Sequence, residues 1–141
     1  MKFKNHSLVA DFSDAERDFV QLALEKHSTQ HAAGLNARPV EIAVRSSDNQ
    51  LVGGLLGSTA WEWLIIDMLW VADEIRSQGL GATLLEQAEQ QAKLLGCTAA
   101  RTETFDFQAL PFYKKHGYKV YAELNDFPAG HTEYQLRKQL A

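Results

Sequence analysis

The clearest pattern of apolar and polar positions in this chain lies between Ile65 and Leu95. It opens as a run of branched apolar residues, which is typical of a buried strand. The sequence then turns polar at residues 72–74 and carries two closely spaced glycines, Gly79 and Gly81. Beyond them the apolar residues recur at helical spacing, at Leu84, Leu85, Ala88, Ala92 and Leu95. The pattern predicts a strand that leads into a glycine-bearing turn and then into a helix.

Shorter patterns predict the remaining elements. Ser13 and Glu16 have the spacing of a capping box, which predicts a helix from there to His27. Pro111 lacks an N–H group and belongs in the first turn of a helix, so a short helix is expected from about Gln108 to Gly117. Strands are predicted over residues 7–10, 40–45, 51–56, 61–71, 98–105, 119–124 and 133–137, with a turn at residues 57–60.

The predicted order of elements is β-α-β-β-β-α-β-α-β-β. One segment of βαβ character lies among strands that are otherwise joined as hairpins. This order is typical of the α+β class with a mixed sheet.

Length and composition narrow the class of protein. At 141 residues and 15.8 kDa the chain can bury a proper core, and we expect a single domain over residues 1–141. A formal net charge of −4 argues against a nucleic-acid partner and is compatible with a cationic ligand. No apolar run approaches the roughly 20 residues that span a bilayer, and no signal peptide follows Met1, so we expect a cytoplasmic protein without a membrane partner. Cys97 is the single cysteine, which excludes an internal disulfide.

The turn between the central strand and its helix has the chemistry of a phosphate site. A helix that opens after glycines presents unpaired backbone N–H groups at its positive end. Gly79 and Gly81 lack Cβ atoms, so a ligand can approach the backbone closely, and Arg76 adds a forked cation. No Gly-Lys-Ser/Thr follows, and the third glycine of the dinucleotide fingerprint is absent.

Two motifs in this chain resemble those of the GNAT superfamily of N-acetyltransferases. The first is Arg/Gln-x-x-Gly-x-Gly/Ala, matched from Arg76 to Gly81 after a strand that ends in Leu-x-Val, which is similar to the acetyl-CoA loop. The second is Asn-x-x-Ala-x-x-Phe/Leu-Tyr-x-Lys-x-Gly-Phe/Tyr, matched from Asp106 to Tyr118 with Asp in place of Asn. The resemblance covers about residues 40–140. It implies a GNAT-like, mostly antiparallel central sheet flanked by helices.

The resemblance also implies a cofactor and its binding residues. The co-substrate is acetyl-CoA, and no metal is expected. Backbone groups of Leu69 and Val71 are expected to bind the pantetheine arm, with the Leu69 N–H as candidate oxyanion donor. The pyrophosphate is expected on backbone N–H groups of residues 76–82. The cofactor-binding residues implied are Leu69, Trp70, Val71, Arg76, Ser77, Gln78, Gly79, Leu80, Gly81, Ala82 and Asp106.

Asp106 has two interpretations. It is either a turn or N-cap residue, or a contact of the pantetheine amides, since a carboxylate is a poor partner for phosphate.

Acetyl transfer from a thioester to an amine needs a held carbonyl, an oxyanion donor, a base and an acid. Tyr113, at its motif position, is the expected general acid, because a phenol with a reference pKa of about 10 stays protonated at neutral pH. Tyr118 is expected to be a packing residue.

The base is less well defined by the sequence. Strand period places Asp67 on the same face as Leu69 and Val71, where it could hold and deprotonate the amine. The alternative is a carboxylate paired with a neighbouring strand or exposed at an edge. Weaker candidates are His131, Glu62 and Glu103.

Three functions are compatible with these features. The first is an N-acetyltransferase that moves an acetyl group from acetyl-CoA to the primary amine of a small molecule by direct attack. The second is an acyl-CoA-binding sensor without turnover, and the third is an N-acetylase of protein lysines or N-termini. Tyr113 favours an enzyme over a sensor, and the small size favours a small-molecule amine. An exposed final hairpin could pair across a two-fold axis, so we expect a homodimer.

Overall fold

The computed structural model describes residues 5–141, which form two compact units that divide after Leu35. The first unit contains helix α1, Asp14–Thr29. The capping box is confirmed, because the Ser13 hydroxyl accepts from the Glu16 N–H at 3.1 Å and the Glu16 carboxylate accepts from the Ser13 N–H at 2.9 Å. The predicted strand at residues 7–10 is wrong. A strand needs a hydrogen-bonding neighbour, and the described part of this unit has no other strand.

The second unit, Asn36–Ala141, is built on a six-stranded sheet. Its strands are β1 Pro39–Arg45, β2 Leu51–Ala60, β3 Trp63–Val71, β4 Ala99–Phe105, β5 Lys119–Asn125 and β6 Thr132–Gln139. Their spatial order is β1-β2-β3-β4-β6-β5, and β3–β4 is the parallel pair in an otherwise antiparallel arrangement. The α+β class with a mixed, mostly antiparallel sheet is therefore confirmed. The prediction of one domain over residues 1–141 stays a prediction.

The β2–β3 hairpin is tighter than the sequence suggested. The predicted turn at residues 57–60 is wrong, because these residues continue β2 and pair with β3. The turn consists of Trp61 and Glu62, with φ of 45° and 67°, as a two-residue hairpin of the primed type requires. Gly57 permits the close pairing, since a Cβ there would lie 2.5 Å from the Ile65 carbonyl oxygen.

Two further helices pack on this sheet. Helix α2, Leu80–Leu94, buries its apolar face in the core, where a fully buried leucine such as Leu84 stabilises the fold by about 1.5–3 kcal/mol. Helix α3, Leu110–Lys115, begins two residues after the predicted start. The Thr104 hydroxyl explains the shift, because it accepts from the Ala109 N–H at 3.1 Å. Over residues 5–141, none of the helices is long and apolar enough to cross a membrane.

Candidate active site

The sheet opens at the point where β3 carries an extra residue. The parallel pairing of β3 with β4 begins at Trp63 and Ala99 and ends at Ile66 and Thr102. On its other side β3 stays paired with β2, but the register shifts there by one residue, and Asp67 is left as the extra residue of a β-bulge. From residue 67 to 71, β3 therefore has a strand partner on one side only. Backbone groups on the β4 side of this segment are available to a ligand.

The bulge corrects the reasoning that placed Asp67 by strand period. Ile66 is buried, and Leu69 and Val71 pack against the core, whereas Asp67 and Met68 are both exposed. Because one residue is inserted, the inward positions are even-numbered before the bulge and odd-numbered after it. Asp67 is the exposed residue of the bulge and not a member of the Leu69–Val71 face.

A cleft of about 1090 Å³ lies at this opening. The end of β3, the loop leading into α2, the end of β4 and helix α3 all contribute to its walls. Its lining includes Asp67, Leu69, Trp70, Val71, Arg76, Ser77, Gly79, Leu80, Gly81, Ala82, Thr102, Glu103, Phe107, Phe112, Tyr113, Lys115 and His116.

The N-terminus of α2 forms one wall of the cleft. Its N-cap is Gly79, with φ of 81°, and Ser77 has φ of 69°. Within the described chain, the N–H groups of residues 77–82 have no acceptor in the protein. Unpaired N–H groups at the positive end of a helix of this length form a ready site for an anion.

The two glycines of this loop serve different purposes. A Cβ on Gly79 would meet no atom within 4 Å, so the space beside it is open. A Cβ on Gly81 would lie 3.3 Å from the Phe112 ring, so this glycine makes room for helix α3. The prediction that both glycines leave space for a ligand therefore has geometric support at Gly79 alone.

Arg76 lines the cleft and also braces the loop between β3 and α2. Its Nε donates to the Val71 carbonyl at 3.0 Å, and a terminal nitrogen lies 2.9 Å from the Asp73 carboxylate. Its side chain remains more than half exposed. The guanidinium thus has contacts within its own loop and an exposed surface beside the α2 N-terminus.

Positive and negative groups lie at different parts of the cleft. Lys115 and His116 line the cleft from the end of α3, and His116 lies near α2, because the Phe112 ring contacts it at 4.6 Å between centroids and lies beside Gly81. Asp67 and Glu103 instead lie where β3 and β4 separate, and both also line a small adjoining cavity of about 120 Å³ together with Arg101, whose guanidinium lies 3.6 Å from the Glu103 carboxylate. The α2 side suits an anion, and the exposed Asp67 carboxylate on the strand side suits a cation, whereas Arg101 balances the charge of Glu103.

Tyr113 lies between these two regions. It is 4% exposed and lines the cleft, and its ring makes edge contacts with Phe112 and Tyr118. Burial raises the pKa of the Tyr113 phenol, and the Thr102 side chain lowers it in part. The Thr102 hydroxyl donates to the Ile66 carbonyl at 3.1 Å, which holds it where β3 and β4 stop pairing.

Tyr118 is buried away from the cleft. Its hydroxyl donates to the Glu89 carboxylate at 2.8 Å, and the Lys138 ammonium donates to the same carboxylate at 2.9 Å. Burial, followed by the charge of Glu89, raises the pKa of Tyr118 far above its usual range. The predicted packing role of Tyr118 agrees with this arrangement.

Asp106 is held by the loop between β5 and β6. Its carboxylate accepts from the Thr132 N–H at 3.0 Å and contacts His131 Nδ1 at 2.9 Å. Neither Asp106 nor His131 is among the residues that line the cleft. The turn role predicted for Asp106 is what the geometry shows, and its contact with a cofactor stays a prediction.

The other predicted site residues differ in whether they line the cleft. Gln78 and Glu62 do not line the cleft, whereas Glu103 does. Sequence reasoning missed a group of lining residues from β4, from α3 and from the segments next to α3: Thr102, Thr104, Phe107, Gln108, Phe112, Lys115 and His116. The threonines carried a usable signal, because Thr102 and Thr104 alternate in strand period with charged neighbours. Within residues 5–141, no group of His, Cys, Asp and Glu side chains is arranged to hold a metal ion.

The sequence of this chain is similar to a protein family and to known acetyltransferases. The family model described as Acetyltransferase (GNAT) family matches residues 6–118. Blasticidin-S acetyltransferase of Streptomyces morookaense is 40% identical over 110 residues, covering 75% of this chain and 81% of that protein. An acetyltransferase of Agrobacterium fabrum is 30% identical over 133 residues, covering 94% of this chain and 97% of the relative.

A solved structure has the same fold over nearly the whole chain. The crystal structure of an acetyltransferase from Bacillus cereus superposes with a TM-score of 0.87 at 29% identity, covering 95% of this chain and 98% of that one. The family model and the two relatives match this chain over most of its length. The chain belongs to the GNAT family of acetyltransferases.

Proposed function

We propose that this acetyltransferase moves an acetyl group from acetyl-CoA to the primary amine of a small molecule by direct attack, with Tyr113 as the general acid. The observation that carries the proposal is the cleft itself. Unpaired N–H groups and the exposed Arg76 line one side of it, the Asp67 carboxylate lies where β3 and β4 separate, and the buried phenol of Tyr113 lines the same cleft. Anionic phosphates and a cationic amine have complementary places in such a site.

The residues present fit acetyl-CoA. The N–H groups of residues 77–82 and the open space at Gly79 suit the pyrophosphate. The unpaired side of β3 beyond Ile66 suits the amides of the pantetheine arm, which can add to a strand as a peptide does. When bound, acetyl-CoA supplies an acetyl group already activated as a thioester, so no covalent enzyme intermediate is needed.

The protein's own groups then have defined tasks. The Leu69 N–H lies on the open segment of β3 and is the proposed donor to the acyl oxygen. Tyr113 holds the proton that the departing sulfur needs, and burial keeps that proton on the phenol at neutral pH. Asp67 is the proposed group that holds the ammonium and takes its proton, directly or through water, since Glu103 is paired with Arg101 at 3.6 Å.

The choice of a small-molecule acceptor rests on the relatives. The similar protein from Streptomyces morookaense is named for an antibiotic, blasticidin S, and this chain covers 81% of it. The net charge of −4 and the exposed Asp67 carboxylate of the cleft favour an acceptor that carries positive charge.

An assay of thiol release with acetyl-CoA tests the proposal. The panel comprises blasticidin S, polyamines, aminoglycosides and lysine-containing peptides, and each primary amine is paired with its quaternary trimethylammonium form. We expect release with at least one small amine, a product heavier by one acetyl group, and no release with the quaternary partner. Acetyl-CoA binding without turnover of any amine would favour the sensor function, and acetylation of peptides alone would favour a protein acetylase.

A further inference from the structure

Three phenylalanine rings form a column beside the cleft. Phe105 lies at its centre, stacked on Phe107 at 5.1 Å and on Phe127 at 5.9 Å, with interplanar angles of 11° and 25°. The two outer rings are about half exposed, Phe107 at 56% and Phe127 at 49%. Exposing two large aromatic rings costs free energy unless they have a partner.

A histidine and a carboxylate hold the outer end of this column. The His131 ring meets Phe107 nearly at right angles, with centroids 4.9 Å apart. Asp106 fixes the His131 ring through the 2.9 Å contact at Nδ1, and the Thr132 N–H fixes Asp106 in turn. Because a carboxylate only accepts, Nδ1 is the donor, and Nε2 is the acceptor of the neutral imidazole. The Phe107 ring is therefore a rigidly supported surface.

Phe107 connects the column to the cleft, which it lines together with Asp67, Glu103 and Tyr113. A flat ring can stack on the exposed surface of Phe107, with favoured centroid separations of about 4.5–7 Å. An amine on such a ring would share the cleft with the Asp67 carboxylate.

We propose that the three phenylalanines of the column and His131 together form an acceptor platform, made of Phe105, Phe107, Phe127 and His131. The platform selects amines carried on a planar aromatic or heteroaromatic ring. This inference rests on the proposed function, because it specifies the acceptor of the same reaction. The platform acts by stacking on Phe107, the member that lines the cleft and that Phe105 and His131 support, while Asp67 attracts the ammonium.

Two amines of nearly equal size test the platform, namely 2-phenylethylamine and 2-cyclohexylethylamine, because one ring is flat and the other is puckered. Their dissociation constants are measured by ligand-observed NMR, which reports binding whether or not either amine is acetylated. We expect the wild type to prefer the phenyl compound by about 3- to 10-fold. Phe107→Leu should remove the preference, and Phe107→Trp, which keeps a flat ring, should retain it.

Tyr121 provides the matched control. It is 48% exposed on β5 and does not line the cleft, so Tyr121→Leu should leave the preference unchanged. Affinity for acetyl-CoA should be the same in all variants. The platform is wrong if neither amine binds, if the wild type binds both equally, or if Phe107→Leu alters acetyl-CoA affinity instead of the preference. Failure of the proposed reaction would show separately, as absence of thiol release with every amine.

Discussion

At the scale of single residues, Tyr113 and Asp67 show which features of the site a sequence motif predicts and which it does not. The position of Tyr113 within Asp106–Tyr118 was enough to predict a residue at the cleft, and the structure places it there, buried among aromatic rings. Asp67 also lies at the cleft, but strand alternation does not explain its position, because the β-bulge is what exposes it. A one-residue insertion has no signature in a run of apolar residues, so this detail required the structure.

Tyr113→Phe should lower kcat while leaving acetyl-CoA affinity unchanged. The ring still packs against Phe112 and Tyr118, and only the proton donor is lost. General-acid terms supply about 10²–10⁴ in rate, and water can replace part of that, so a loss toward the lower end is expected. Steady-state kinetics and calorimetry check both quantities. Turnover equal to the wild type, with chemistry rate-limiting, would remove Tyr113 from the mechanism.

Asp67→Asn should reduce turnover much more than it reduces acetyl-CoA affinity. Without the carboxylate the amine must lose its proton to water, so the remaining activity should rise at higher pH, where more of the amine is neutral. Thr83→Ser is a mild control on α2, since Thr83 does not line the cleft. A pH–rate profile of Asp67→Asn that coincides with the wild type would show that this carboxylate is not the base.

At the scale of elements, the sequence predicted helices and strands best where periodicity was long. Helix α2 and the central strand β3 were placed within a few residues, because their apolar patterns repeat over several turns or pairs. The predicted ends of helices and strands were wrong where tertiary contacts determine them. The β2–β3 turn contains Trp61 and Glu62, neither of which signals a hairpin, and the start of α3 depends on the Thr104 hydroxyl. The segment at residues 7–10 was apolar enough for a strand but has no partner in its unit.

Gly79→Ala should weaken acetyl-CoA binding through the N-terminus of α2. The added methyl group would project into the open space beside the unpaired N–H groups. Gly96→Ala is a matched control, because Gly96 also has a positive φ of 90° and open space around its Cβ position, but it does not line the cleft. Each substitution should cost roughly 1–2 kcal/mol of stability from backbone strain.

Calorimetric titration separates the two glycines. Acetyl-CoA affinity should fall by at least about tenfold in Gly79→Ala, equivalent to about 1.4 kcal/mol, and should be unchanged in Gly96→Ala. Equal affinities in the two variants would mean that the α2 N-terminus does not hold the phosphates. A substitution at Gly81 would be a poorer test, because a Cβ there would lie 3.3 Å from the Phe112 ring and would disturb helix α3 as well.

At the scale of the whole molecule, one buried cluster ties α2 to the end of the sheet. Glu89 of α2 accepts from Tyr118 and from Lys138 of β6, and the Lys138 ammonium lies 5.5 Å from the Tyr118 ring centre. Charged groups this well buried are costly unless paired, and here each has a partner. The expected homodimer stays a prediction, because these contacts concern a single chain.

The free energy of unfolding should fall as pH rises above about 10, the ordinary pKa of tyrosine. Burial raises the pKa of Tyr118 and of Tyr113 in the folded chain, so unfolding lets these phenols ionise, and alkali favours the unfolded state. The stabilisation is fully present below pH of about 10 and is lost as pH climbs toward the folded-state values. Urea titrations between pH 8 and 11 measure it. The decline should be shallower in Tyr118→Phe, and an identical decline would contradict the assignment.

The bulge at Asp67 has a genetic consequence. An in-frame loss of one codon would make the β2–β3 register continuous, from Leu56↔Met68 to Gly57↔Ile66, with no residue left over. The strand could then follow its parallel neighbour further and close the gap that admits the cofactor. A chain lacking Asp67 should fold, as measured by circular dichroism, yet bind no acetyl-CoA. In this chain a single-codon deletion at the bulge would therefore abolish acetyl-CoA binding more completely than most substitutions, and the shortened β3 would reveal it where residue identities would not.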